Sequence, residues 1–172
     1  MHSVTQRTSA HARQLLSALC ADLAPARLGG GAALADAHFV AALVLAVPVW
    51  LVLGLVVGAH MQTLVGWRAW ASGVLLLPLL EEWVFRGLLQ GQLLRLWEGR
   101  RLGCVSWANL CTSGAFVAMH FIAQPAAWAL AVALPSLVLG YLRERLGSAG
   151  PGVLMHAYFN AGFWLTAGLV GA

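Results

Sequence analysis

Charge is scarce in this sequence. Of its 172 residues, 9% are Asp, Glu, Lys or Arg, against about 25% in ordinary soluble domains. Lysine is absent, so all ten basic residues are arginine. A soluble protein of this size could not cover its surface with so few charges. With 60% hydrophobic residues and a mean hydropathy of +0.80, the chain needs the lipid bilayer as part of its solvent. The net charge is +4, yet no basic run is dense, which argues against a nucleic-acid partner. Cysteine is equally sparse. Cys20, Cys104 and Cys111 are odd in number and form no CxxC. They read as small hydrophobes on apolar segments, not as a disulfide or metal ligands. HExxH is missing, as are internal repeats and low-complexity tracts, and no signal-peptide core follows the first residues.

What is present is a series of long apolar segments. Residues 1–37 form a cytoplasmic or interfacial N-terminal segment, in which Ala10 to Ala24 reads as an amphipathic interfacial helix before Pro25 and Gly29-Gly30-Gly31 break the chain. Residues 38–172 form one membrane domain. A helix needs roughly 20 apolar residues to cross a bilayer core. Five segments approach that length: His38–Ala59 with Pro48 inside it, Trp70–Trp97, Cys104–Ala123, Ala126–Leu142 and Pro151–Val170. The expected fold is therefore all-α, a polytopic transmembrane helical bundle of about five spans plus the interfacial helix. A sixth, short span near the N-terminus is the alternative. With five spans, Arg7, Arg13 and Arg27, Arg95, Arg100 and Arg101, and Arg143 and Arg145 all fall on one side. Arginine enrichment of cytoplasmic loops then places the N-terminus in the cytoplasm of a plasma-membrane protein.

Against this apolar background the run LLLPLLEEWVFRGLLQG carries Glu81, Glu82 and Arg86. Each charge at a helix centre costs roughly 2.5–3.5 kcal/mol on insertion scales, so the three must be paired, solvated or functional. Glu82 and Arg86 are four apart, about 40° around a helix, and can pair. Glu81 lies about 140° from Arg86 at the usual helical rotation and needs a partner elsewhere. The second and third spans form an antiparallel hairpin turning near Arg101. Glu81 lies 20 residues before that turn and His120 lies 19 after it, so the two match in depth. Phe116 matches Arg86 in the same way. In the fifth span, His156 and Asn160 are four apart and share a face. Such a pair can donate hydrogen bonds to one developing oxyanion, or offer two metal ligands. The depths are in tension: His156 is about 9 Å from its helix start, whereas Glu81 is about 21 Å from Arg95 at 1.5 Å per residue.

These clusters resemble a known family. EEWVFR (81–86) is similar to the Glu-Glu-x-x-x-Arg motif of the CPBP family, also called the Abi or type II CAAX prenyl protease family. FVAMH (116–120) resembles its Phe-x-x-x-His motif, and HAYFN (156–160) its His-x-x-x-Asn motif. The likeness covers about residues 70–165. It implies an intramembrane, glutamate-type endopeptidase acting on a membrane-associated protein or peptide near its C-terminus. By the same analogy Glu81 acts with His120 to activate water, His156 and Asn160 stabilise the oxyanion, and Glu82, Arg86 and Phe116 order the site. No metal is needed for that chemistry, while a zinc reading would take Glu81, His120 and His156 as ligands. Small bacterial members resemble enzymes linked to C-terminal sorting tails or to bacteriocin maturation. The alternatives are a non-enzymatic membrane protein, such as a bacteriocin self-immunity factor, or a proton or ion pathway.

Overall fold

The computed structural model describes residues 13, 14, 16, 17, 20, 30–57 and 66–170. Most of the expected interfacial segment lies outside them. The described residues are helical except for turns and one two-stranded hairpin.

Helix α1 is a short turn, Gly30–Leu34, and α2 is Ala37–Val57. Asp36 caps α2: its Oδ1 accepts the amides of His38 at 3.0 Å and Phe39 at 3.1 Å, two of the donors that a helix start leaves without internal partners. α2 continues through Pro48. Helix α3 occupies residues 67–96 and is not a uniform α-helix. Ala71–Leu76 and Trp83–Gln90 are π-helical, between the α-helical pieces Trp67–Trp70, Leu77–Glu82 and Gly91–Leu96. The constant helical rotation assumed from sequence therefore fails in both wider stretches.

The turn expected near Arg101 is a small hairpin. β1 (Arg101–Leu102) pairs antiparallel with β2 (Val105–Ser106), and Gly103 takes a left-handed φ of 61°. Cys104 therefore sits in a turn, not on a helix, which corrects its expected placement. The third segment is shorter than expected. Helix α4 runs Trp107–His120, capped by Ser106 Oγ on the Asn109 amide at 2.9 Å. α5 (Ala126–Ala131) and α6 (Ala133–Leu146) form a nearly continuous rod with a break at Val132, and α7 is Gly150–Val170.

Each of the five apolar segments thus holds helix. Two of them, Ala37–Leu55 and Ala126–Leu146, are long and apolar enough to cross a bilayer by length and composition. α3 carries Glu81, Glu82 and Arg86 in its middle, and α4 has 14 residues. Only 11% of the apolar Ala37–Leu55 stretch is buried inside the protein, and Val44, Leu45, Leu55 and Leu134 point outward. Hydrophobic side chains so placed suit lipid, not water. The buried cluster of Ala33, Phe39, Leu139, Leu142 and Met155 joins α1, α2, α6 and α7. Two ion pairs close the same end: Arg145 Nε to Asp36 Oδ2 at 2.7 Å, and Arg101 Nη2 to Glu144 Oε2 at 2.7 Å. They gather the start of α2, the hairpin and the end of α6, the places where arginines were expected on one side.

Candidate active site

The α3 charges meet α4, α6 and α7 inside the bundle. Glu82 and Arg86 are both fully buried, with Arg86 Nη1 3.5 Å from Glu82 Oε1. The pair expected from their spacing is present. Arg86 is held further by Ser136 on α6, whose hydroxyl and carbonyl oxygens each accept from Nη2 at 2.9 Å. The guanidinium carbon also lies 4.9 Å from the centre of the Phe116 ring, within cation–π range. The hairpin register thus matched Phe116 to the depth of Arg86.

His156 lies between the two glutamates. Its Nδ1 is 3.0 Å from Glu82 Oε1 and its Nε2 is 3.6 Å from Glu81 Oε2. The depth tension closes because the chain into α7 is not a surface loop. Gly147 ends α6 at a φ of 73°, and residues 148–152 are all buried. The start of α7 therefore already lies within the bundle. Gly152 permits this approach: a Cβ there would stand 2.9 Å from Glu82 Oε2. Of the two carboxylates Glu81 is the more accessible, with its side chain 22% exposed against 0% for Glu82.

Of the two imidazoles, His156 is the one within ion-pair distance of Glu81. His120 Nδ1 is 2.9 Å from the Phe116 carbonyl. A carbonyl accepts only, so Nδ1 carries the hydrogen and the neutral ring presents a lone pair at Nε2. Phe116 packs on His120 at 4.4 Å, on Phe85 at 5.1 Å and on His156 at 6.0 Å between ring centres, and so sits at the middle of the cluster. Asn160, one turn further along α7, is tied to α3. Its Nδ2 donates to the Gly73 carbonyl at 2.9 Å, which turns the expected oxyanion donor partly toward α3.

That bond has a cause in the sequence. In the first π stretch the Leu77 amide reaches Ser72 O, five residues back. At the same spacing the next donor, to Gly73 O, would come from residue 78, which is proline and has no N–H. Asn160 satisfies the carbonyl instead. Pro78 inside an apolar run was the available signal for this contact. Other partners had no such signal. Gln90, fully buried, donates to Gly140 O at 3.0 Å and to Glu144 Oε1 at 2.9 Å. Ser136 likewise is a polar residue inside the apolar stretch of α6, and Glu144 lies between Arg143 and Arg145 at its charged end.

The zinc alternative would take Glu81, His120 and His156 as ligands. Among the described residues no three His, Cys, Asp or Glu side chains form a metal-holding group, whereas a catalytic zinc usually takes three protein ligands. His156 points Nδ1 at Glu82 and Nε2 at Glu81, while His120 turns Nδ1 to the backbone and leaves Nε2 open.

The structure thus defines a helical protein with two stretches apolar and long enough to cross a bilayer and a buried glutamate–histidine cluster. The sequence narrows it: residues 62–162 match the family model of type II CAAX prenyl endopeptidase Rce1-like proteins. That is more than half of the chain, and the protein belongs to this protease family. No curated protein and no solved structure matches it.

Proposed function

We propose that this protein is a multi-pass intramembrane endopeptidase that hydrolyses a peptide bond near the C-terminus of a membrane-associated protein. The observation that carries the reading is the carboxylate–imidazole–carboxylate line from Glu82 through His156 to Glu81, closed at 3.0 and 3.6 Å. In this reading Glu82 is the inner, buried anchor. Its carboxylate accepts from His156 Nδ1 and fixes the ring, so that Nε2 faces Glu81. Glu81, the outer carboxylate, takes a proton from water as the water oxygen bonds to the scissile carbonyl carbon. His120 Nε2 assists as a second acceptor beside it. The tetrahedral oxyanion is stabilised by the hydrogen left on Asn160 Nδ2 and by His156 Nε2 when it shares the proton that Glu81 has taken from water. Collapse breaks the C–N bond, and the proton passes from Glu81 to the leaving amine, which restores the carboxylate. Buried, paired carboxylates are suited to such work because their proton affinity is tuned by neighbours.

The residues perform this sequence without a metal. The test uses purified protein and an internally quenched peptide ending in a farnesylated Cys-aliphatic-aliphatic-X tail, with the unlipidated peptide beside it. Glu81→Gln is expected to lower kcat by about 10²–10⁴, and chelator treatment to leave the wild-type rate unchanged. Cleavage by Glu81→Gln at the wild-type rate would overturn the mechanism. A rate lost to chelator and restored by zinc would replace it with the three-ligand alternative.

A further inference from the structure

We propose that Ser136 is a positioning residue for this site: it sets the orientation of Arg86, and through Arg86 the Glu82 carboxylate that holds His156. Arg86 and Glu82 are fully buried and Ser136 is 1% exposed, so their orientation is decided by protein contacts. Among the described residues, the side-chain hydrogen bonds of Arg86 both go to Ser136, one to its hydroxyl and one to its carbonyl, each at 2.9 Å from Nη2. Nε and Nη1 make none. The approach to Glu82 at 3.5 Å is therefore a charge–charge contact without a directional bond, and the Phe116 face 4.9 Å away restricts the guanidinium without fixing its rotation. A bond to a buried charged group is among the stronger and more directional of protein contacts. Ser136 is thus the group that aims the cation.

The chain of dependence is short. Arg86 neutralises Glu82, and Glu82 accepts from His156 Nδ1 at 3.0 Å. Ser136 touches neither substrate nor the water-activating carboxylate, and acts through Arg86. α6 grips α3 at further points that bypass this chain. Gln90 donates to Gly140 O, and Arg143 Nε donates to Arg86 O at 3.2 Å. General helix packing therefore does not depend on the serine alone.

The inference rests on the proposed function in treating Glu81 and His156 as reacting groups, but its primary readout needs no substrate. Full-length protein in lipid nanodiscs is labelled with ¹⁵N-histidine, and the His156 ring signals are assigned with His156→Gln. Ser136→Ala is expected to lose the hydrogen-bonded Nδ1 signal of His156. Ser136→Ala removes only the hydroxyl bond, since the backbone carbonyl bond persists in either variant, and Ser136→Thr, which keeps the hydroxyl, is expected to retain the signal. Gln90→Leu removes two α3–α6 hydrogen bonds without touching Arg86, and should lower the melting temperature while leaving the His156 signal in place. On the quenched peptide, Ser136→Ala is expected to lose about tenfold in kcat at unchanged KM, the scale of one hydrogen bond, with Thr restoring it. A wild-type His156 signal in Ser136→Ala would overturn the inference, as would an equal loss in Gln90→Leu. Active Glu81→Gln would instead overturn the proteolytic reading and leave the His156 result standing.

Discussion

Glu82 is the residue on which the site geometry converges. It touches Arg86 on its own helix and His156 on α7, and its Oε2 lies against Gly152. Gly152 has no Cβ to occupy the space that the carboxylate fills. Gly152→Ala places a methyl carbon 2.9 Å from Glu82 Oε2, closer than real packing tolerates. The expected outcome is an active-site defect larger than the stability defect: peptide cleavage falls at least tenfold while the thermal transition in detergent moves by a few degrees. Equal cleavage by the variant would show that Glu82 can relax at no cost to function. At this scale much was legible in the sequence. Spacing alone paired Glu82 with Arg86 and left Glu81 over, and hairpin register matched Phe116 to Arg86. The approach of His156 to both glutamates was not legible, because it depends on a buried 148–152 turn that hydropathy reads as an ordinary boundary. Ser136 was hidden for a similar reason: it lies 50 residues from Arg86, and one serine in an apolar helix is compatible with any orientation.

Among the helices, α3 departs furthest from the regular form. Its two π stretches flank Leu77–Glu82, and π segments often occur at functional sites. Pro78 and Asn160 are coupled through Gly73 O. Asn160→Ala leaves that carbonyl unpaired and is expected to cost about 1–3 kcal/mol. Pro78→Ala supplies an amide at the spacing Gly73 needs. The double variant should therefore be more stable than Asn160→Ala alone, and chemical denaturation of the four proteins measures the coupling. Strict additivity would contradict the assignment. Asp36 makes a second prediction. Burial pushes its carboxyl up, but the Phe39 amide, the Arg145 guanidinium and the His38 amide outweigh that and hold it below the usual carboxylate range. A depressed folded value means that the contact stabilises above the ordinary carboxylate pKa of about 3.9 and is lost as pH falls through the folded value. Wild type should therefore melt above Asp36→Asn near neutral pH, and that gap should shrink as pH falls below the ordinary carboxylate value toward the lower folded one. A gap independent of pH would contradict it. The helices themselves were largely legible from hydropathy. The π stretches and the Val132 break were not, because both are set by backbone hydrogen bonding that side-chain pattern does not encode.

For the whole molecule, the ion pairs of Asp36 with Arg145 and of Arg101 with Glu144 bring the arginine-bearing ends of three segments together. The distribution of arginines in the sequence predicts that this end faces the cytoplasm. Cys104 is exposed in the hairpin at that end. In a Cys20→Ser/Cys111→Ser background, a membrane-impermeant thiol reagent should label Cys104 in inside-out vesicles and spare it in right-side-out vesicles. The reverse pattern would invert the topology. Composition alone made the bilayer legible, since so few charges cannot solvate a protein. It did not make the site's inner wall legible, because the residues that brace it sit on α6 among apolar neighbours.

Glu81 is the residue on which hydrolysis in the membrane depends in this account. The most direct test is mass-spectrometric comparison of C-terminal peptides from membranes containing wild type or Glu81→Ala at equal abundance. Shortened C-termini on at least one membrane-associated protein are expected with wild type and absent with Glu81→Ala. Identical C-terminal peptides in the two samples would contradict that role.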